Sequence, residues 1–238
     1  MNTIVLDAGN TTIKLARFEE DRLVERFVFS WDERNKLIDY VNGRSEIIGI
    51  SSVLSDGATR EIVSAIPHAI LIDSTSKVPF NVNYNTYGTL GIDRLCNGAY
   101  LHKTLKTAYG VCIDVGTCIK FDVFGKSEGY LGGSISPGIR LRYQSLNDFT
   151  AKLPLLSDTT PLDLIGTTTN ESIRSGVING INAEINGFIS QYSTRFEHLT
   201  FFMTGGDAMH FDIHSKNVIF ADENLTLIGL HEILLHNA

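Results

Sequence analysis

The chain carries one local pattern twice. "TIVLDAGNTTIKLARF" begins at Thr3 and "YGVCIDVGTCIKFDVF" at Tyr109, each an apolar run, then Asp-x-Gly, small polar residues and a second apolar run. A strand that ends in Asp-x-Gly and turns straight into another strand makes a tight hairpin, because Gly permits positive φ and close backbone approach. Two copies within 238 residues point to two like-folded halves. Strand runs at residues 3–7, 13–18 and 23–29 precede a helical stretch at 31–41, a buried strand at 46–54 and a further apolar run at 68–73. The pattern restarts with strands at 109–114 and 119–124, the Gly-rich "EGYLGGSISPG", a long helix at 171–196, the strand "LTFFMTGG" and a closing helix at 223–237. Strands followed by helices, twice, predict an α/β fold of two halves, residues 1–108 and 109–238.

The hairpins have a chemical reading as well as a structural one. Asp7 and Asp114 end their first strands, and Thr11, Thr12 and Thr117 place hydroxyls and free amides on the turns, a set able to hold phosphate oxygens and a hard cation. One copy alone is a turn; two in matching positions predict a clamp for a nucleoside triphosphate in the cleft between the halves. Neither GxxxxGK[ST] nor GxGxxG occurs, which removes the P-loop and dinucleotide-fold alternatives. In "FFMTGGDA", Gly205 and Gly206 follow a strand, where a base or ribose could lie against bare backbone; alone, the pair marks a turn.

Composition narrows the partners. The net charge of −7 disfavours a general nucleic-acid binder, which needs Lys and Arg to neutralise phosphates. Cys96, Cys112 and Cys118 are odd in number and form no CxxC pair, which predicts a reducing, cytoplasmic setting without a disulfide framework or zinc site. No apolar run reaches the ~18 residues of a membrane span, and the opening strand leaves no room for a signal peptide.

Taken together, the opening hairpin, the second DxGT and the TGG strand resemble the two phosphate segments and the adenosine segment of the acetate and sugar kinase, heat-shock chaperone and actin superfamily. Within it, "GIDR", "GGSISPG", "TNESIRSG" and "TGGDA" resemble type III pantothenate kinase, in the family's order from residue 3 to about residue 230. The resemblance implies two ribonuclease-H-like halves with the nucleotide site between them. It also implies a homodimer and ATP-dependent phosphorylation of pantothenate to 4'-phosphopantothenate, the first step of coenzyme A biosynthesis. Mg2+ and a monovalent cation, K+ or NH4+, are implied with it. A non-catalytic nucleotide-binding accessory regulator of the same fold is the alternative, and intact Asp7, Asp93 and Asp114 favour the enzyme.

Position by position, the resemblance implies that Asp7, Ala8, Gly9, Asn10, Thr11, Thr12, Ile13 and Lys14 form the first phosphate loop, with Asp7 directed at Mg2+. Thr117 would touch ATP and Asp114 would hold the monovalent cation. Tyr84, Gly91, Ile92, Asp93, Arg94 and Thr169 would contact pantothenate, with Asp93 the proton acceptor and Arg94 a candidate partner for the substrate's carboxylate. Structural alternatives stand beside these: Asp93 and Thr169 as helix N-caps, Tyr84 as a loop anchor, Lys14 as a solvated strand residue, and Ser136-Pro137-Gly138 as a turn.

Three positions depart from the family pattern. Tyr87 stands where Pro is usual, Asn97 where a small apolar residue is common, and Lys120 where GTxxT would place a second hydroxyl. If Lys120 faces the nucleotide, its charge replaces a cation or meets a phosphate; if it faces away, nothing changes. On assembly, Ile173, Val177, Ile181, Ile185, Phe188 and Tyr192 make one apolar face of the long helix, while Ile178 and Ile189 lie off it. The second apolar stripe predicts cover by another subunit, and with the resemblance a site that Thr169 completes from the partner chain.

Overall fold

The computed structural model describes residues 1–160, 163–211, 213, 218–220 and 223–238. The chain forms two compact units, one of residues 1–104, 128–130 and 224–238, the other of residues 105–127 and 131–223.

In the first unit, β1 (Asn2–Ala8), β2 (Thr12–Glu19) and β3 (Arg22–Ser30) run antiparallel, and β4 (Ile47–Ser52) and β5 (Ile70–Ile72) extend the sheet in parallel, in the order β3-β2-β1-β4-β5. Helices α1 (Arg34–Asn42), α2 (Asp56–Ala65) and α3 (Ile92–Thr104) join them. Strand alternation sorts the sheet's faces. Ile4, Leu6, Ala8, Ile13 and Leu15 bury with Leu37 and Val41 of α1 and Ile62 of α2 in one core. A fully buried aliphatic side chain of this kind contributes about 1.5–3 kcal/mol.

The second unit repeats the plan. β6 (Tyr109–Val115) pairs antiparallel with β7 (Cys118–Gly125), β8 (Gly129–Pro137) follows, and β9 (Leu199–Thr204) and β10 (Val218–Phe220) complete the order β10-β9-β6-β7-β8. Helices α4 (Ile139–Asp148) and α5 (Thr169–Arg195) cover the face that carries Val111, Ile113, Val115, Ile119, Phe121 and Val123. The shared strand order confirms the α/β fold of two like halves read from the repeated hairpin.

The closing helix, α6 (Leu225–Asn237), departs from the expected division. It follows the second sheet in sequence but packs on α3, β1 and β4 of the first unit. The cause is its composition: Leu225, Leu227, Leu230, Ile233 and Leu234 are all buried, so the helix needs cover on several sides. Its fully buried His231 stacks on Phe18 at 4.1 Å and shares a 2.8 Å hydrogen bond with Thr3 Oγ1, and burial holds the imidazole below its ordinary pKa. Buried Asn97, one of the departures from the family pattern, accepts a hydrogen bond from Thr226 Oγ1 at 3.4 Å and so ties α3 to α6.

Helix α5 also corrects an expectation. Ile178 and Ile189 are 3% and 5% exposed within the single chain, in the same core as Ile181 and Ile185. The chain's own core already covers both, so these two residues supply no argument for a partner subunit. No helix among the described residues is long and apolar enough to cross a membrane.

Candidate active site

The first hairpin is closed by a 3.0 Å hydrogen bond from Gly9 N to the Thr12 carbonyl, which leaves Asn10 and Thr11 exposed at the tip. Register pairs Asp7 directly with Lys14, so both side chains leave the same face of the sheet. Ser51 of β4, opposite Asp7 on its other side, donates to Asp7 Oδ1 at 3.2 Å. Ser51 had no sequence signal, because the parallel pairing that places it beside Asp7 spans 44 residues.

A second cluster forms on the same unit. Gly91 precedes α3, and Asp93 lies in its first turn, its Oδ1 accepting from Arg94 N at 3.0 Å. Asp93 is inside the helix rather than at the cap position, so the simple N-cap alternative does not describe it. Arg94 is 4% exposed, with its guanidinium 5.9 Å from the Tyr84 ring centre and 5.8 Å from that of Tyr130. The two rings meet edge to face at 6.2 Å. Tyr130 was missed in the sequence. It reaches Arg94 because Asn83 N donates to the Tyr130 carbonyl and Tyr130 N to the Asn81 carbonyl, each at 2.9 Å, which lays the Tyr84 loop along β8. Tyr87, standing where the family has Pro, begins a short 3-10 turn, and its hydroxyl donates to the Ser76 carbonyl at 3.3 Å. A tethered ring thus restrains this loop where a pyrrolidine otherwise would.

In the second unit the hairpin turn is the point on which two other segments rest. Gly116 N donates to Cys118 O at 3.1 Å, and the exposed Thr117 gives its carbonyl to Gly138 N at 3.0 Å. Gly138 is packed so closely that a Cβ would strike the backbone of Gly116 and Thr117. Arg142 Nε holds the Pro137 carbonyl at 2.8 Å, and Glu184 of α5 binds both Ser136 and Arg142. Ser136-Pro137-Gly138 is therefore more than a free turn; it is clamped to the phosphate hairpin. From the other side, Asp207 N donates to the Val115 carbonyl at 3.0 Å. Gly205 has φ +101°, and a Cβ there would collide with the Val115 backbone, whereas a Cβ on Gly206 would meet nothing within 4 Å. Burial raises the Asp207 carboxyl above its ordinary pKa, partly opposed by His210.

Asp114 pairs in register with Lys120, and Lys120 Nζ lies 2.7 Å from Asp114 Oδ2, with the two side chains 15% and 14% exposed for Lys and Asp respectively. Cys112 shares this face; burial, Asp122 and Asp114 raise its thiol pKa and Lys120 lowers it. Cys112 is fully buried, which suits a structural thiol.

Thr169 begins α5 but does not cap it. The cap is Thr168, whose hydroxyl accepts from Glu171 N at 3.2 Å, while the Glu171 carboxylate returns to Thr167 N at 2.8 Å and Thr168 N at 3.2 Å. This capping box is worth about 1 kcal/mol. It leaves Thr169 exposed, and Leu164 and Ile165, in the segment that leads into α5, are both 80% exposed.

The two glycines after β9 are separable by experiment. Gly205→Ala forces a side chain into a left-handed conformation against the Val115 backbone and is expected to cost at least about 1–3 kcal/mol. Gly206→Ala is expected to leave ligand-free stability almost unchanged. Urea denaturation of both variants checks this, and equal midpoints would contradict the packing described.

A family model described as type III pantothenate kinase matches residues 3–191. A type III pantothenate kinase of Christiangramia forsetii is 40% identical over 98% of this chain and 98% of its own length. One of Flavobacterium psychrophilum is 38% identical over 97% of each. Among solved structures, a protein described as a Baf family transcriptional activator from Campylobacter jejuni has a TM-score of 0.65 at 22% identity, covering 98% of each chain. A Listeria monocytogenes protein described as an N-acetylmannosamine kinase has a TM-score of 0.55 at 11% identity, covering 99% of each. At these identities the two structures speak to fold alone, and the fold is the two-halved one seen here. With the model matching 3–191 and relatives aligned over nearly the whole length, the chain belongs to the type III pantothenate kinase family.

Proposed function

We propose that this chain transfers the γ-phosphoryl group of ATP to the primary hydroxyl of pantothenate, giving 4'-phosphopantothenate, the first step of coenzyme A biosynthesis. The family membership supports the reaction. The observation that carries the residue assignment is the cluster on α3, where Asp93 stands next to a buried Arg94 lined by Tyr84 and Tyr130.

Phosphoryl transfer asks a protein for alignment, charge neutralisation and a place for the hydroxyl proton. In this reading Asp93 accepts that proton, and Arg94 meets the carboxylate of pantothenate. Tyr84 and Tyr130 hold the guanidinium in place, and Gly91 and Ile92 shape the approach. The first loop, Asp7 to Lys14, and Thr117 on the second hairpin bind the phosphates of ATP.

Mg2+ suits Asp7. It needs only one or two protein carboxylates, completing its shell with water and phosphate oxygens, and Asp7 is a single carboxylate already oriented by Ser51 at the end of β1. Bound there with ATP, Mg2+ would offset the charge on the phosphates. Asp114 does not present the donor set of a monovalent-cation site, because the Lys120 ammonium already lies 2.7 Å from its carboxylate. A purely regulatory, non-catalytic role has no observation in its favour.

The reading includes a homodimer whose pantothenate site Thr169 of the partner chain completes. Support comes from the resemblance and from the exposure of Thr169 and of two large apolar residues, Leu164 and Ile165, in the segment before α5.

Asp93→Asn is expected to fold and bind ATP normally and to lose about 10²–10⁴-fold in pantothenate-dependent ADP release. Wild-type turnover in that variant would return Asp93 to a structural role. Mixed dimers of Asp93→Asn and Thr169→Ala chains, each nearly inactive alone, are expected to regain part of the activity. A fully active monomer by light scattering, or no recovery in verified heterodimers, would contradict the shared site.

A further inference from the structure

We infer that the Lys120 ammonium permanently occupies the position beside Asp114 that a monovalent cation would fill, so that phosphoryl transfer here needs no added K+ or NH4+. The inference rests on the pantothenate kinase reading and concerns the residues of this chain.

Three observations converge on it. The first is geometric: Nζ of Lys120 is 2.7 Å from Asp114 Oδ2, a direct charge-assisted contact. The second is structural: the contact is built into the sheet. Asp114 and Lys120 are cross-strand partners in β6 and β7, so both side chains leave the same face and the register keeps the ammonium within reach of the carboxylate. Both side chains are largely buried, at 14% and 15% exposed, so water screens the pair far less than it would a surface ion pair. The third is chemical. A lysine side chain ends in an alkylated ammonium, a compact point charge with three donors. It therefore offers Asp114 the charge and hydrogen-bonding character of an NH4+ ion, tethered to the chain.

A mobile cation and this ammonium compete for one carboxylate. A K+ ion needs several oxygen ligands, and Lys120 already donates to Oδ2 of the one carboxylate, Asp114, that would supply the charge. A second positive charge beside Nζ would also meet direct repulsion. The first hairpin differs: its Asp7 has a cross-strand lysine in register, Lys14, but its carboxylate accepts from the Ser51 hydroxyl and so stays suited to Mg2+. The carboxylate-to-lysine register thus recurs in both halves, and the direct ion pair forms at Asp114. Lys120 fills a position at which the resemblance implies a small hydroxyl residue. A hydroxyl leaves room and an extra oxygen for an ion, whereas a lysine brings its own charge.

The test compares the wild-type protein with Lys120→Thr, which restores the hydroxyl, and Lys120→Gln as a second variant of nearly conserved length. Pantothenate-dependent ADP release is measured in N-methylglucamine chloride and in KCl or NH4Cl at equal ionic strength. Affinity for Mg·ADP is measured by calorimetry in the same media, a reading that needs no turnover. The wild type is expected to show the same rate and the same affinity in every medium. At least one folded variant is expected to lose about 10²-fold in N-methylglucamine, the scale on which one electrostatic contact to a transferring phosphoryl group acts. It should recover with K+ or NH4+, and its ADP affinity should rise with them. Saturable activation of the wild type by K+ or NH4+ would overturn the inference. So would folded variants that work equally well without either ion, or that neither ion rescues. Failure of the wild type to phosphorylate pantothenate in any medium would instead refute the underlying function, and the calorimetry would still decide the cation question.

Discussion

The antiparallel register of the two hairpins governs what each half of the molecule presents. Pairing Asp7 with Lys14, and Asp114 with Lys120, fixes which side chains go to which face of each sheet. In the first unit Ile4, Leu6, Ala8, Ile13 and Leu15 enter the helical core, and Thr3, Val5, Asp7, Lys14, Ala16 and Phe18 take the other face. In the second, Val111, Ile113, Val115, Ile119 and Phe121 enter the core, and Cys112, Asp114, Lys120 and Asp122 take the other face. A slip by one residue would exchange the sets, burying carboxylates among isoleucines. The apolar core and the polar chemistry are thus two consequences of one pairing.

Around the second hairpin the backbone itself becomes the scaffold. Gly138 and Gly205 bring the loops after β8 and β9 onto Gly116, Thr117 and Val115 through main-chain hydrogen bonds, while Glu184 and Arg142 anchor the first of these loops to α5 and α4. Backbone contacts of this kind tolerate little movement, which suits a turn whose amides must be held ready for a ligand. In the first unit rigidity has a different source. Arg94, Tyr84 and Tyr130 form a buried cation and aromatic group that fixes the start of α3, and with it Asp93.

Local signals made much of this legible in the sequence. The duplicated Asp-x-Gly hairpin, the periodicity of α5 and the Gly-Gly after β9 are each read within a few residues, and the structure has the corresponding elements. What was not legible depends on distant pairings. Ser51 meets Asp7 through parallel strands, Tyr130 meets Arg94 through a loop laid on β8, and α6 crosses back to the first unit. Ile178 and Ile189 looked surplus on a helical wheel because the distant segments that share a core with α5 are not written in the helix. Helix α2 escaped the reading because its ten-residue segment, "DGATREIVSA", is short, holds Ile62 and Val63 as its only large apolar residues, and buries only Ile62. The role of Lys120 lay between the two cases: its departure from the family pattern was visible, and its direction became known only from the register.

The central claim is that both duplicated hairpin turns bind the phosphates of the nucleotide. Amide hydrogen exchange on the wild-type protein, with and without Mg2+ and a non-hydrolysable ATP analogue, tests it directly. Nucleotide should slow exchange in residues 9–12 and in residues 116–118 alike. Protection confined to one turn, or absent from both while the analogue is bound, would contradict the account.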